Sequence, residues 1–263
     1  MTAPVLSVNT SQGRFYKNPR TDKQVPSITN IIGMKDKPAL KYWAARQAAT
    51  FAADNLETMK RLKRDEVIDL VRGAPFRRTD ASSNVGDILH GWIDDFTKVR
   101  IISKPDSWVP LDYDKAPKTA QRMWKQFVAI VEKYEPELLY NEVTVWSDTH
   151  DYAGTVDWIW KINGAIVFGD TKTGNAVYPE VGMQVGAGNG ADYAIGMDGE
   201  QFKLPDAERF AALHIRPTYA RLSPLNGVDE CFKAFLHLRG VHRWMCETSE
   251  EVIGYAPKIQ AQE

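Results

Sequence analysis

Between residues 140 and 173 three short runs follow one another with only turn-length breaks: YNEVTVWSD, AGTVDWIWKING and AIVFGDTKT. They are rich in Val, Ile, Thr and Trp, the side chains that suit a pleated strand. Three consecutive strands need helices or a second sheet to cover their apolar faces. The flanking sequence supplies helices. GRFYKN…KQVPSITNII reads as a short hairpin leading into a helix, and KPALKYWAARQAATFAADN as an Ala-rich helix. A second helix, LETMKRLKRDEVIDLVRGA, is expected to end near Gly73. A third covers DASSNVGDILHGWIDDFTKVR, where Val85, Ile88, Leu89, Trp92, Ile93 and Phe96 recur at steps of three and four. That spacing buries one helix face. A fourth ends near Pro136.

After the three strands, YPEVGMQVGAGNGADYA reads as a glycine-heavy helix, RFAALHIRP and YARLSPL as two more strands, and VDECFKAFLHLRGVHRWMCE as a closing helix. The order predicts an α/β or α+β fold with one central mixed sheet and an N-terminal helical region. Three stretches are expected: 1–78, a hairpin and helical region of the same domain; 79–250, the core; and 251–263, a tail. No internal repeat is visible.

A chain of 263 residues, 43% hydrophobic and 25% charged, is long enough for a sizeable core. Cys231 and Cys246 are too few for a disulfide framework or, alone, a zinc or iron–sulfur set, so a reducing, intracellular setting is expected. The first residues lack an apolar signal core, and no run is long enough to span a bilayer. A net charge of −1 excludes a uniformly basic nucleic-acid binder. Basic residues nevertheless gather early: Arg14, Lys17, Arg20, Lys23, Lys35, Lys37, Lys41 and Arg46, opposed there by Asp22 and Asp36, then Lys60, Arg61, Lys63, Arg64, Arg72, Arg77 and Arg78. Such a stretch either lies along a phosphate backbone or forms solvated helix faces.

The third strand ends in GDTKTG. Residues i and i+2 of a strand share a face, so Asp170 and Lys172 point the same way if the strand persists to residue 172. Asp157 is expected on the face of Thr155 and Ile159, with Val156, Trp158 and Trp160 opposite. If these two strands pair through the KING turn, Asp157 and Asp170 approach each other. Two adjacent carboxylates raise each other's pKa unless a cation neutralises them. A hard divalent ion with oxygen ligands does so naturally, and Lys172 beside it would orient a water or stabilise developing negative charge. GDTKTG is not a phosphate-binding loop, because G-x-x-x-x-G-K-[ST] is absent. Nor is it the KTG of serine β-lactamases, because no serine has lysine three residues on. Taken alone, it is also the ordinary ion pair of a surface strand end, and His90 an ordinary helical histidine.

The ordered set of motifs resembles the RecB-like nucleases of the PD-(D/E)xK superfamily, which include the CRISPR-associated RecB-like exonucleases and many phage-encoded relatives. Their pattern runs G-x-x-x-H, G-x-x-D, [GD]-D-x-K-T-G and Q-x-x-x-Y. Here Gly86 to His90, Gly154 to Asp157, Gly169 to Gly174, and Gln184 match it. VPSITNIIGMKDKPALKYWAAR also looks like the opening of phage members, and the likeness covers roughly residues 25–225. It implies a restriction-endonuclease-like core and a Mg²⁺- or Mn²⁺-dependent DNA nuclease, an exonuclease by expectation, acting on linear single- or double-stranded DNA. It would serve phage replication, recombination or repair in the host bacterial cytoplasm, with no membrane partner.

In that resemblance His90, Asp157, Asp170 and the Thr171 carbonyl bind the metal, Lys172 positions the attacking water, and Gln184 aligns DNA or the lysine. Glu142 either supports the site or is a solvated strand carboxylate. Lys35, Lys41, Arg46 and Tyr193 are candidate DNA contacts. Trp43 and Trp92 could stack on bases, although their helical spacing favours the core. Two departures stand out. Gly188 replaces the tyrosine of Q-x-x-x-Y, with Tyr193 a candidate substitute. The iron–sulfur cysteines of some relatives are missing, so no cluster is expected. The rival expectation is a DNA-binding module of the same fold without catalysis.

Overall fold

The structure, a computed structural model, describes residues 6–35, 37–103, 108–196 and 198–254. The side chains of residues 39, 78–83 and 102–103 lie outside that description. So do Asp36, the Arg78 side chain and residues 255–263 of the expected tail.

A hairpin and third strand, β1 (Ser7–Thr10), β2 (Gly13–Lys17) and β3 (Gln24–Pro26), lead into the short helix α1 (Ile28–Ile32). The Ser27 hydroxyl caps α1 by accepting from the Asn30 amide at 3.0 Å. Next come α2 (Pro38–Asp54), α3 (Leu56–Met59), α4 (Arg64–Ser103) and α5 (Lys118–Tyr134). The three expected strands follow as β4 (Glu137–Ser147), β5 (Tyr152–Ile162) and β6 (Ala165–Lys172). After them run α6 (Glu180–Asn189), β7 (Tyr193–Ile195), β8 (Gln201–Phe202), β9 (Arg209–Arg216), β10 (Tyr219–Pro224) and α7 (Val228–Arg243).

Among the described residues, seven strands form one sheet in the order β10-β9-β6-β5-β4-β7-β8. The β6–β9 pair is parallel and the others antiparallel, so the sheet is mixed. It is covered on both faces. On one, Leu89, Trp92 and Phe96 of α4 and Trp124 and Phe127 of α5 pack against Trp158, Trp160, Val167 and Leu213. On the other, Ile31 of α1, Val185 of α6 and Phe235 of α7 meet Val145, Ile159, Phe168 and Ala212. Among the described residues no helix is long and apolar enough to cross a membrane.

The structure corrects four expectations. The second and third helices are one: α4 runs for 40 residues through Gly73 and Pro75. An interior proline loses a backbone hydrogen bond and costs about 3 kcal/mol. Arg77 donates at 2.7 Å to the Leu70 carbonyl, next to the Val71 carbonyl that Pro75 leaves without its helical donor, and stacks over Phe51 of α2 at 4.9 Å. The glycine-heavy helix stops at Asn189, and Tyr193 lies in β7, because the Asp192 amide already bonds the Trp146 carbonyl of β4 at 2.9 Å. Val156 packs on the α6 side with Ile159 rather than with Trp158 and Trp160. Trp43 is 37% exposed rather than core, whereas Trp92 is buried and donates to Asp112 at 2.7 Å.

The stacked indoles of Trp158 and Trp160, with ring centroids 4.3 Å apart, need a bare neighbour. Gly169 lies opposite Trp158, and a methyl group there would fall 1.9 Å from the indole. We therefore expect Gly169→Ala to lower the unfolding free energy in urea by about 1–3 kcal/mol or more. Gly174→Ala, whose nearest neighbour atom would be 3.9 Å away, should leave the midpoint unchanged.

Candidate active site

Asn163 (φ +50°) and Gly164 (φ +83°) join β5 to β6, the left-handed pair that a two-residue hairpin requires. The pairing runs from Ile162↔Ala165 to Trp158↔Gly169 and stops there, which leaves Asp157 and Asp170 as the first residues past the ladder on each strand. Between β4 and β5, Val143 pairs with Val156 and Asn141 with Trp158, which sets Glu142 opposite Asp157. Glu142, Asp157 and Asp170 thus gather on three neighbouring strands, Asp157 near enough to the other two for their charges to act on one another.

Other side chains converge on that group. The Thr171 amide donates to Asp157 Oδ2 at 2.8 Å. Lys172 Nζ lies 2.7 Å from Asp170 Oδ2 and donates to Gln184 Oε1 of α6 at 2.9 Å. From the opposite layer, α4 brings His90 Nδ1 to 3.8 Å from Glu142 Oε1. One turn earlier, a Cβ on Gly86 would lie 2.8 Å from Thr173 Oγ1, so glycine lets α4 settle onto the loop after Lys172. The Gly86-to-His90 spacing is therefore steric as well as chemical.

Burial raises the pKa of Asp170 to about 7, with the Asp157 charge adding to it and Lys172 and His90 opposing. Burial also raises Asp157, against the pull of His90. For His90 burial works the other way, but Glu142, Asp157 and Asp170 outweigh it and lift the imidazole to about 9. Lys172 is raised as well: burial opposes its charge, and Asp170 and Asp157 prevail.

Among the described residues, no three His, Cys, Asp or Glu side chains are gathered closely enough to enclose an ion. Yet Asp170 is only 2% exposed, and both its oxygens are buried; the Lys172 ammonium is the near neighbour of one of them. A buried carboxylate beside a second acid and an imidazole, with one oxygen lacking a hydrogen bond, fits the donor set of a hard divalent cation. Thr171 is buried in the same strand.

The remaining candidates scatter. Gly188 lies on the sheet-facing side of α6, where a Cβ would be 2.7 Å from Val156 Cγ2, so a tyrosine has no room there. The Tyr193 hydroxyl donates to Asp148 at 3.0 Å and accepts from Asn18 at 3.2 Å; it is part of the junction between the two sheets. Lys35 pairs with Glu180 in the first turn of α6 at 3.1 Å. Lys41 and Arg46 are exposed on α2. Sequence reading missed Tyr16, whose hydroxyl bonds Thr155 at 2.8 Å and which feels the charges of Glu142 and Asp157. It also missed Asp94, which accepts from Asn141 at 2.9 Å, and His214 and Arg216, which hold the loop after Lys172. A period-two reading of RFAALHIR would have put His214 and Arg216 on one face, but not beside β6.

The raised pKa values make a stability prediction for the metal-free protein. A group whose pKa is higher in the folded state stabilises fully below its unfolded pKa and loses that contribution as pH rises through the folded one. For Asp170 the window runs from 3.8 to about 7; for His90, from 6.5 to about 9. With chelator present, the urea midpoint should fall between pH 5 and pH 9. Asp170→Asn should flatten the acidic half of that slope, and an unchanged slope would contradict the burial of this carboxyl. Neither a scan against models of known protein families nor a search of curated proteins finds a match for this chain.

Proposed function

We propose that the chain is a metal-dependent deoxyribonuclease of the PD-(D/E)xK type, with a restriction-endonuclease-like core. It would be an exonuclease on linear DNA, akin to the phage-encoded RecB-like enzymes and free of an iron–sulfur cluster. The single observation that carries this reading is that the β5–β6 pairing ends beside Asp157 and Asp170, where buried Asp170 has the Lys172 ammonium against one oxygen and no hydrogen bond to the other.

His90, Asp157, Asp170 and the Thr171 carbonyl would hold Mg²⁺ or Mn²⁺. When bound, such an ion polarises the scissile phosphate and acidifies a water. Lys172 carries its charge next to Asp170 and is steered by Gln184; there it orients the attacking water and offsets charge that builds on the phosphate. Glu142 Oε1 lies 3.8 Å from Nδ1 of His90 and would help orient the ring if His90 ligates through its other nitrogen. Exposed Lys41 and Arg46 on α2, and Lys63 just before α4, would supply phosphate contacts. Arg72 and Lys60 are already paired with Asp69 and Glu57 of their own helices, so part of this basic stretch is a solvated face. On this reading the enzyme serves phage DNA replication, recombination or repair in the host cytoplasm.

A second reading, a DNA-binding module without catalysis, is favoured by Gly188, whose packing on Val156 removes the aromatic group of the Q-x-x-x-Y motif.

The test is incubation with end-labelled linear and circular DNA, with and without Mn²⁺. We expect shortening of the linear form only, and only with metal. Lys172→Ala and Asp170→Ala should each slow turnover about a hundredfold or more. Cleavage at the parental rate by either variant overturns the assignment. Salt-sensitive binding with no cleavage at any Mg²⁺ concentration establishes the binding module instead.

A further inference from the structure

The loop that leaves β6 after Lys172 is gripped from the side by β9. Their parallel register sets Ala212 beside Asp170 and His214 beside Lys172, so Ala212, His214 and Arg216 follow one another along a single face. His214 is 1% exposed. Its Nε2 lies 2.8 Å from the Gly174 carbonyl oxygen; a carbonyl only accepts, so Nε2 carries the hydrogen. Nδ1 faces the Tyr219 hydroxyl of β10 at 3.4 Å, and the two rings meet edge to face at 5.5 Å. Two residues on, the Arg216 guanidinium donates to the Thr173 carbonyl at 2.7 Å and to Asn175 Oδ1 at 3.0 Å. Residues 173, 174 and 175 are therefore each held by one bond from β9.

None of these three residues lies in a helix or strand, so the clamp replaces the backbone ladder that ends at Lys172. Lysine has a long, freely rotating stem. Its ammonium meets Asp170 and Gln184 together only if the backbone from which it springs is held still. We infer that His214 and Arg216 are positioning residues, acting through the 173–175 loop to aim Lys172 at the reacting phosphate. The inference rests on the nuclease reading above and extends it to side chains outside its motifs.

Cleavage kinetics on linear DNA in Mn²⁺ test it, together with amide hydrogen exchange of the metal-free protein. Arg216→Ala and His214→Leu should lower kcat about tenfold to a hundredfold and leave KM within about twofold, as expected for a misplaced group. Arg216→Lys and His214→Gln each retain a donor and should recover most of the loss; free guanidinium should partly restore Arg216→Ala. In Arg216→Ala, exchange should accelerate at residues 173–175 while the melting temperature holds. Arg209→Ala, an exposed arginine at the start of the same strand, serves as the control and should match the parent.

Unchanged kcat or unchanged exchange in Arg216→Ala overturns the proposal. So does a loss that follows the melting temperature and resists both rescues. If the parent chain cleaves no DNA, the nuclease reading fails and any catalytic purpose for the clamp fails with it. Faster exchange at 173–175 would then still identify the clamp as a structural one.

Discussion

The two-residue turn at Asn163 and Gly164 sets everything else in the site. Its paired left-handed conformations fix the register of the β5–β6 hairpin, and strand side chains alternate with a period of two. A slip of one residue would send Asp170 to the Trp158 and Trp160 side and bring Gly169 toward Asp157. The bulky indoles guard against that slip. Trp158 covers Gly169 so closely that no other residue type fits opposite it. Turn chemistry and core packing therefore enforce one alignment, and the acids just past its end are brought together by it. The same hairpin places Lys172 at the strand end, where α6 delivers Gln184 and α4 delivers His90 from opposite layers.

Much of this was legible in the sequence because it is local. The β-branched and indole-rich runs were strands, the Asn-Gly turn linked two of them, and the three-and-four spacing from Val85 to Phe96 marked a buried helix face. The failures arose where a distant contact overrode a local signal. Gly73 and Pro75 predict a helix end, but Arg77 satisfies a carbonyl near the break and ties the segment to Phe51. Tyr193 belongs to an apparently helical stretch, but an open edge of β4 captures it as a strand. His214 and Arg216 gave no signal, because their role depends on a parallel pairing between strands separated by a helix and two short strands. Sequence spacing also exposes no backbone dihedral: Glu142 with φ +49° is visible only in three dimensions.

That Glu142 conformation costs about 1–2 kcal/mol for a residue with a Cβ, and it falls where the acids gather and His90 approaches. Strain of this kind persists only when the surroundings over-determine it. Here the surroundings are β5 on one side and α4 on the other, with Asn141 bonded across to Asp94 of that helix. Strain at Glu142 and carboxyls pushed up by burial at Asp157 and Asp170 therefore occupy one small region. A chain selected for stability alone would replace the buried carboxyls with apolar side chains. On the proposed reading, their concentration in one place reflects the cation the region would bind.

Lys172 clarifies how such a site survives without its cation. The ammonium neutralises Asp170 from inside the fold, and its raised pKa keeps it charged. It is an internal counter-ion standing where opposite charge is needed. On the proposed reading a divalent ion competes with it for the same carboxylate, so the lysine must yield that contact without leaving the site. Gln184 is the partner that remains: its amide oxygen accepts from Nζ and carries no formal charge that a metal would attract strongly. Gln184 thus has a physical purpose independent of any tyrosine one turn later. The loss of that tyrosine at Gly188 removes a neighbour from α6 but leaves the tether between helix and lysine in place.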